Sequence, residues 1–308
     1  MAEHIPVLLD EVIDGLNIKP NGVYVDLTLG RAGHSSVILT LLNKEGLLVG
    51  VDQDDEAIAK STETLNRIGP NFKIVRSNFS HLDEILDDLQ IKKVDGILMD
   101  LGVSSPQFDN GERGFSYKVD GPLDMRMDKR QNLTAFTIVN TYSVEELTKI
   151  FRDYGEEKYA YSIAKNIVKY REFAPINTTL QLVDIIKRSK PMKELSKIGH
   201  PAKQTFQALR IATNDEINVL IATIGKAMER LNSKGRLAII TFHSGEDRIV
   251  KNAFKAVAVE IGNRIDGPMQ ESKTKFSLVT RKPIEASEKE LALNHRSKSA
   301  KLRIIEAK

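Results

Sequence analysis

Three carboxylates, Asp26, Asp52 and Asp100, stand at or near the ends of apolar runs that read as buried strands. Open parallel sheets bind ligands just outside the carboxyl ends of their strands, so three acids placed there would converge on one crevice. Asp52 follows Gly30 by 22 residues. That is the spacing at which a carboxylate takes the hydroxyls of a bound ribose. Gly30 and Gly33 punctuate a turn after the first strand, but Thr28 and Ala32 stand where a dinucleotide fingerprint has further glycine. Their Cβ atoms would obstruct the close approach a pyrophosphate needs. A nucleoside cofactor without phosphates, such as S-adenosylmethionine, needs less of that approach. Phe79, just past the third strand, could lie against a flat purine ring or belong to the core. Gln107 carries an amide that both donates and accepts, and on its own reads as a loop residue.

Other chemistries fit less well. Ser104, Ser105 and Ser244 lie outside any G-x-S-x-G elbow. His243 and Ser244 are neighbours in sequence, which rarely gives triad geometry, and His243 reads as a strand-end histidine. The histidines at 4, 34, 81, 200, 243 and 295 show no H-x-x-x-H spacing, and cysteine is absent. No metal site is expected from that pattern. A nicotinamide-dependent oxidoreductase and a methyltransferase of small molecules or proteins remain as alternatives. The first is disfavoured by Thr28 and Ala32, and the second has no need of basic surface.

The elements that would position these residues alternate. Val23, Val25, Leu27 and Leu29 mark a first strand, followed by a helix with Val37, Ile38, Leu41 and Leu42 on one face. Before it, Asp10 is placed to cap a short helix. A strand at Leu47–Val51 leads to Asp52, a helix from about Asp54 to Asn66, and a strand at Phe72–Val75. Ser80 is placed to cap a helix with Leu82, Ile85, Leu86 and Leu89 as its stripe. The fourth strand runs from Val94 to Leu101. From Gly102 to about Leu133 periodicity is lost, which marks a functional or unstructured stretch. Helices capped by the boxes Ser143-x-x-Glu146 and Thr178-x-x-Gln181 follow, with a third over Ala160–Ile167. The α/β pattern returns with a helix from about Asp215 to Leu231, a strand Arg236–Phe242 and a helix capped by Ser244. Runs at Phe276–Thr280 and Leu302–Ile305 could close the sheet as a hairpin. The fold class predicted is α/β, a doubly wound and mostly parallel sheet interrupted by an all-helical insertion.

Composition narrows the setting. The chain has 308 residues, no apolar run near 18 residues, and acidic rather than basic residues over Met1–Asp14. Neither a transmembrane helix nor a signal peptide is expected, and a cytoplasmic location fits. Net charge is only +3, but its distribution is uneven. Lys187–Arg210 holds seven Lys/Arg against Glu194 alone, and Lys273–Lys308 holds ten against four Glu. Both segments suit a polyanionic partner, or a solvated surface.

Several blocks resemble the bacterial methyltransferases that act on the N4 amine of a cytosine in 16S ribosomal RNA. They are His4-Ile-Pro-Val-Leu-Leu9, Asp26–His34, Asp100–Gln107, Arg113–Ser116, Asp120–Asp128 and Tyr154–Glu157, then His200–Ala202, Thr205–Ala208, Phe242–Arg248 and Ser299–Arg303. Asp120–Asp128 is the most specific, since generic Rossmann enzymes lack it. The family usually has Gly at Ala32, Arg at Gln204 and Leu at Gly245. The resemblance implies a class I methyltransferase domain over 1–106 and 205–308, with an inserted helical substrate-recognition domain over 107–204. It implies S-adenosylmethionine contacts at Ala32, Gly33, His34, Asp52, Phe79, Asp100 and Gln107. It also implies a small-subunit RNA substrate, with Asp100 as the group that accepts the N4 proton. The target base must leave its stack to reach such a pocket.

Overall fold

The computed structural model describes residues 5–258 and 274–308. His4 and Lys273, named in the motifs above, lie outside them, as do the side chains of Ser105 and Pro106. Two compact units emerge, one formed by Met1–Gly102 with Asn218–Lys308 and the other by Val103–Ile217.

The first unit is built on a sheet of eight strands among the described residues. They are β1 (Val23–Asp26), β2 (Leu47–Asp52), β3 (Phe72–Arg76), β4 (Val94–Asp100), β5 (Leu231–Thr241), β6 (Phe276–Leu278), β7 (Ile284–Glu285) and β8 (Lys301–Ala307). The order is β3-β2-β1-β4-β5-β8-β6, with β7 also on β8. β1 to β5 pair in parallel, and β8 runs antiparallel to β5 and β6. Both faces are covered, as parallel sheets require. Val25, Val49, Ile97 and Ile239 point into one core with the helix Glu216–Glu229. Leu48, Leu98 and Ala238 point into the other, with the helices Leu9–Leu16 and Gly33–Leu41.

Local chemistry moved several expected boundaries. β1 stops at Asp26, because the Asp26 carboxylate accepts the Thr28 N–H at 3.0 Å and turns the chain. Leu27 and Leu29 are buried beyond the strand rather than within it. The helix after the turn buries His34, Ser35, Ile38 and Leu39, while Leu41 is 44% exposed. Its buried face is therefore rotated from the apolar one, since His34 and Ser35 are drawn inward by polar partners. Asn78, not Ser80, caps the turn Phe79–His81 that precedes the helix Leu82–Asp88. Asp10 lies in the first turn of its helix and does not cap it. His243, not Ser244, caps Ser244–Val257. The late antiparallel pairing joins β6 and β8.

The second unit has its own helical core. Both capping boxes form, at Ser143 with Glu146 and at Thr178 with Gln181. The stretch without periodicity is ordered by other means. Phe115, Leu123 and Met125 enter the helical core, and the buried Arg113 donates to the carbonyls of Arg126 and Met127. The helices Ala135–Thr141 and Lys203–Asn214 have no counterpart in the expected pattern. Lys203–Asn214 lies close to Val144–Gly155, where a Cβ on Gly155 would sit 2.5 Å from the Gln204 carbonyl oxygen. Lys190 donates to Glu157 and to the Pro201 carbonyl, each at 2.6 Å, from a position almost without exposure. The blocks at Tyr154 and His200 thus meet over one buried ion pair.

Candidate active site at the carboxyl ends of the strands

The turn after β1 is forced into the left-handed region twice, with φ +51° at Gly30 and +62° at Ala32. Glycine adopts that conformation freely, whereas alanine carries a cost of about 1 kcal/mol there. Gly33 is glycine for a different reason, because a Cβ would come 2.6 Å from the Pro6 ring.

Asp52 ends β2 and fastens this turn. One carboxylate oxygen accepts the Gly30 N–H at 2.8 Å and the other accepts the Asp54 N–H at 2.9 Å. Burial pushes its pKa up to about 6, against the pull of these N–H donors. The Gln53 N–H also bears on this carboxylate, whose charged form has about four acceptor sites in all, enough to take a ribose hydroxyl besides these N–H groups.

Asp26 is a tie within the fold. It accepts the Ser35 hydroxyl at 2.7 Å as well as Thr28, and burial raises its pKa. The Thr28 hydroxyl in turn accepts the Asp100 N–H at 2.6 Å, joining the ends of β1 and β4.

Asp100 is treated differently. Its Oδ2 lies 3.8 Å from Nδ1 of His34, and its Oδ1 is buried with no hydrogen-bond partner. Burial, then the negative charges of Asp26 and Glu246, push its pKa up to about 8. His34 is itself buried, with Nε2 2.9 Å from the Val7 carbonyl oxygen, to which it donates. Phe79 is half-buried and packs on the core of the sheet. Gln107 belongs to the second unit, where its side-chain oxygen accepts the Ser104 N–H at 3.0 Å.

Two residues at this edge escaped the motif search as functional groups. Glu246 is 3% exposed and accepts the N–H groups of Phe242 and His243 at 2.8 and 3.4 Å. His243 returns the bond, its Nδ1 accepting the Glu246 N–H at 3.3 Å. The signal was the three-residue spacing of a capping box. Histidine is not among the usual caps, so the neighbouring serine took the assignment.

Three carboxylates, Asp26, Asp100 and Glu246, therefore crowd one edge of the sheet, and among the described residues no lysine or arginine charge offsets them at Asp100. A sulfonium cation relieves that repulsion, whereas a pyrophosphate adds to it. With a carboxylate at the end of β2, where a ribose would sit on a doubly wound sheet, the residues fit S-adenosylmethionine and a class I methyltransferase.

Comparison with known proteins gives the same answer. Residues 1–308 match the MraW methylase family, and the chain belongs to it. A "Ribosomal RNA small subunit methyltransferase H" from Halothermothrix orenii is 51% identical over 99% of both chains. Proteins of the same name from Mycoplasma capricolum and Clostridioides difficile are 53% and 50% identical, over 99% and 98% of both chains.

Proposed function

We propose that this protein methylates the exocyclic N4 amine of a cytidine in the 16S RNA of the small ribosomal subunit, in the cytoplasm. The observation that carries the reading is the crowding of Asp26 and Glu246 on Asp100, which suits a cationic methyl donor, together with the open acceptor oxygen of Asp100 itself. S-adenosylmethionine supplies a methyl group on a sulfonium sulfur that becomes neutral on transfer. Asp52 would hold the ribose of such a cofactor, with the turn Ala32–His34 and Phe79 as its further contacts. The enzyme's main task is alignment, because a displacement of this kind gains most from fixed geometry. The N4 lone pair is delocalised into the cytosine ring. Asp100 in its charged form accepts a hydrogen bond from N4–H, frees the lone pair, and takes the proton as the N–C bond forms.

The inserted unit supplies cations for RNA. Of the seven in Lys187–Arg210, Lys190 and Arg210 are consumed by Glu157 and Glu216 inside the fold. Lys193, Lys197 and Lys203 are exposed, and Lys197 also meets Glu194 at 2.8 Å in a surface pair of little energetic weight. Replacing these three with Gln is expected to flatten the salt dependence of RNA binding by about 0.7–0.9 in log–log slope per lost phosphate contact. Cofactor affinity should hold steady, and an unaltered RNA slope would return the segment to ordinary surface. The reaction itself is tested by mass mapping of methyl groups on 16S RNA from cells lacking the protein. Loss of an N4-methylcytidine is expected, and an unchanged map rejects the assignment.

A further inference from the structure

His243 follows β5 by two residues and caps the helix Ser244–Val257. Its Nδ1 accepts the Glu246 N–H, so the proton of the neutral ring sits on Nε2. The side chain is only 11% exposed, and Nε2 has no hydrogen-bond partner. Glu246 Oε1 stands 3.1 Å away, but out of line for a hydrogen bond. Buried polar atoms without partners are rare, and each calls for a reason. Four occur among the described residues, and two of them are His243 Nε2 and Asp100 Oδ1. These two stand at the ends of adjacent parallel strands. Asp100 is opposite Ile240, and the Leu101 N–H donates to the Ile240 carbonyl at 3.1 Å.

One open donor and one open acceptor, both buried and past the ends of neighbouring strands, are the complement of a ligand edge with an acceptor next to an amine. We infer that His243 reads the target base, its Nε2–H donating to the cytosine ring N3 while Asp100 Oδ1 accepts from the N4 amine. Uracil presents the reverse pattern, a ring N–H beside a carbonyl oxygen, and leaves both protein atoms unmatched. The inference rests on the proposed reaction and adds a residue that selects the base. Helix capping by Nδ1 is the structural role of the same ring, and it fixes the tautomer that makes Nε2 a donor.

The test is a titration of the protein, loaded with S-adenosylhomocysteine, with cytidine, 3-deazacytidine and uridine, followed by ligand-observed NMR. The wild type is expected to bind cytidine about tenfold more tightly than 3-deazacytidine, the loss of one hydrogen bond to a buried donor. His243→Asn keeps a good capping side chain but shortens the reach. It should therefore retain the unfolding temperature and the affinity for S-adenosylhomocysteine, while the cytidine preference falls towards one. His243→Gln, with a longer amide, should recover part of it. A role in capping alone would leave the preference intact in both variants, and that result, or no preference in the wild type, overturns the inference. Methyl transfer to under-methylated small subunits by the wild type separates the two levels. Transfer with an unmoved preference removes His243 only, whereas no transfer removes the proposed reaction as well.

Discussion

The ends of β2 and β4 carry the same side chain in the same sheet, and the fold treats them in opposite ways. At Asp52 each oxygen takes a backbone N–H, and the pKa rises only to about 6. At Asp100 one oxygen has no partner, two further carboxylates press on it, and the pKa reaches about 8. Hydrogen bonds to the charged form hold a carboxylate still and ionised, which suits a binding group. Withholding them leaves a more basic carboxyl group whose stabilisation awaits substrate, which suits a proton acceptor. On the proposed reaction, the difference fits binding at the end of β2 and chemistry at the end of β4.

The strongest way to break this division is Asp100→Asn, which keeps the size and removes the base. Single-turnover rates at saturating cofactor should fall by about 10²–10⁴, as for a lost positioned base. A rate within a few-fold of wild type would leave β4 without a chemical role. Asp52→Ala should act on the other quantity. It is expected to weaken S-adenosylmethionine by about 1.5–3 kcal/mol by calorimetry, as for hydrogen bonds to a charged acceptor. The saturated rate should change little. Unchanged affinity in the folded variant would remove Asp52 from the cofactor site.

The two ends also differed in how far the sequence revealed them. Asp52 is legible because its role is one of spacing, a fixed distance from Gly30 along a strand–turn–helix unit that periodicity identifies. The left-handed φ at Ala32 is hidden, since alanine gives no sign of it. The surroundings of Asp100 are set by long-range neighbours. Glu246 arrives from a different part of the chain, and its distance from Asp100 depends on the pairing of β4 with β5. The inserted unit repeats the lesson. Its capping boxes are local and were readable, whereas Phe115, Leu123 and Met125 are buried in an aperiodic segment held by Arg113. The buried pair of Lys190 with Glu157 likewise looked like one more surface cation.

The smallest expected effects are in pH, and they sharpen the division most. Two cofactor hydroxyls donating to Asp52 would favour its charged form, which accepts at both oxygens, over the protonated form, so binding should expel a proton where the free protein holds one. Affinity for S-adenosylmethionine should be flat above pH 6 and fall by up to about tenfold per unit below it. Asp52→Asn should have a weak affinity without that break. The rate constant kcat/KM reports the free enzyme, so it should instead climb through pH 8, where Asp100 is half charged, and level off above it, and Asp100→Asn should lose the climb. Stability provides a separate check with the opposite sign. Both carboxyl groups have folded pKa values above the unfolded value of about 3.9. Their contribution is therefore complete below pH 4 and is lost as pH rises, through 6 for Asp52 and through 8 for Asp100. Wild-type thermal stability should decline across that window, and Asp100→Asn should decline less, gaining most over wild type above pH 8. One shared break in affinity, rate and stability would mean that the two carboxyl groups titrate as a single unit, and the assignment of separate tasks to the two strand ends would fail.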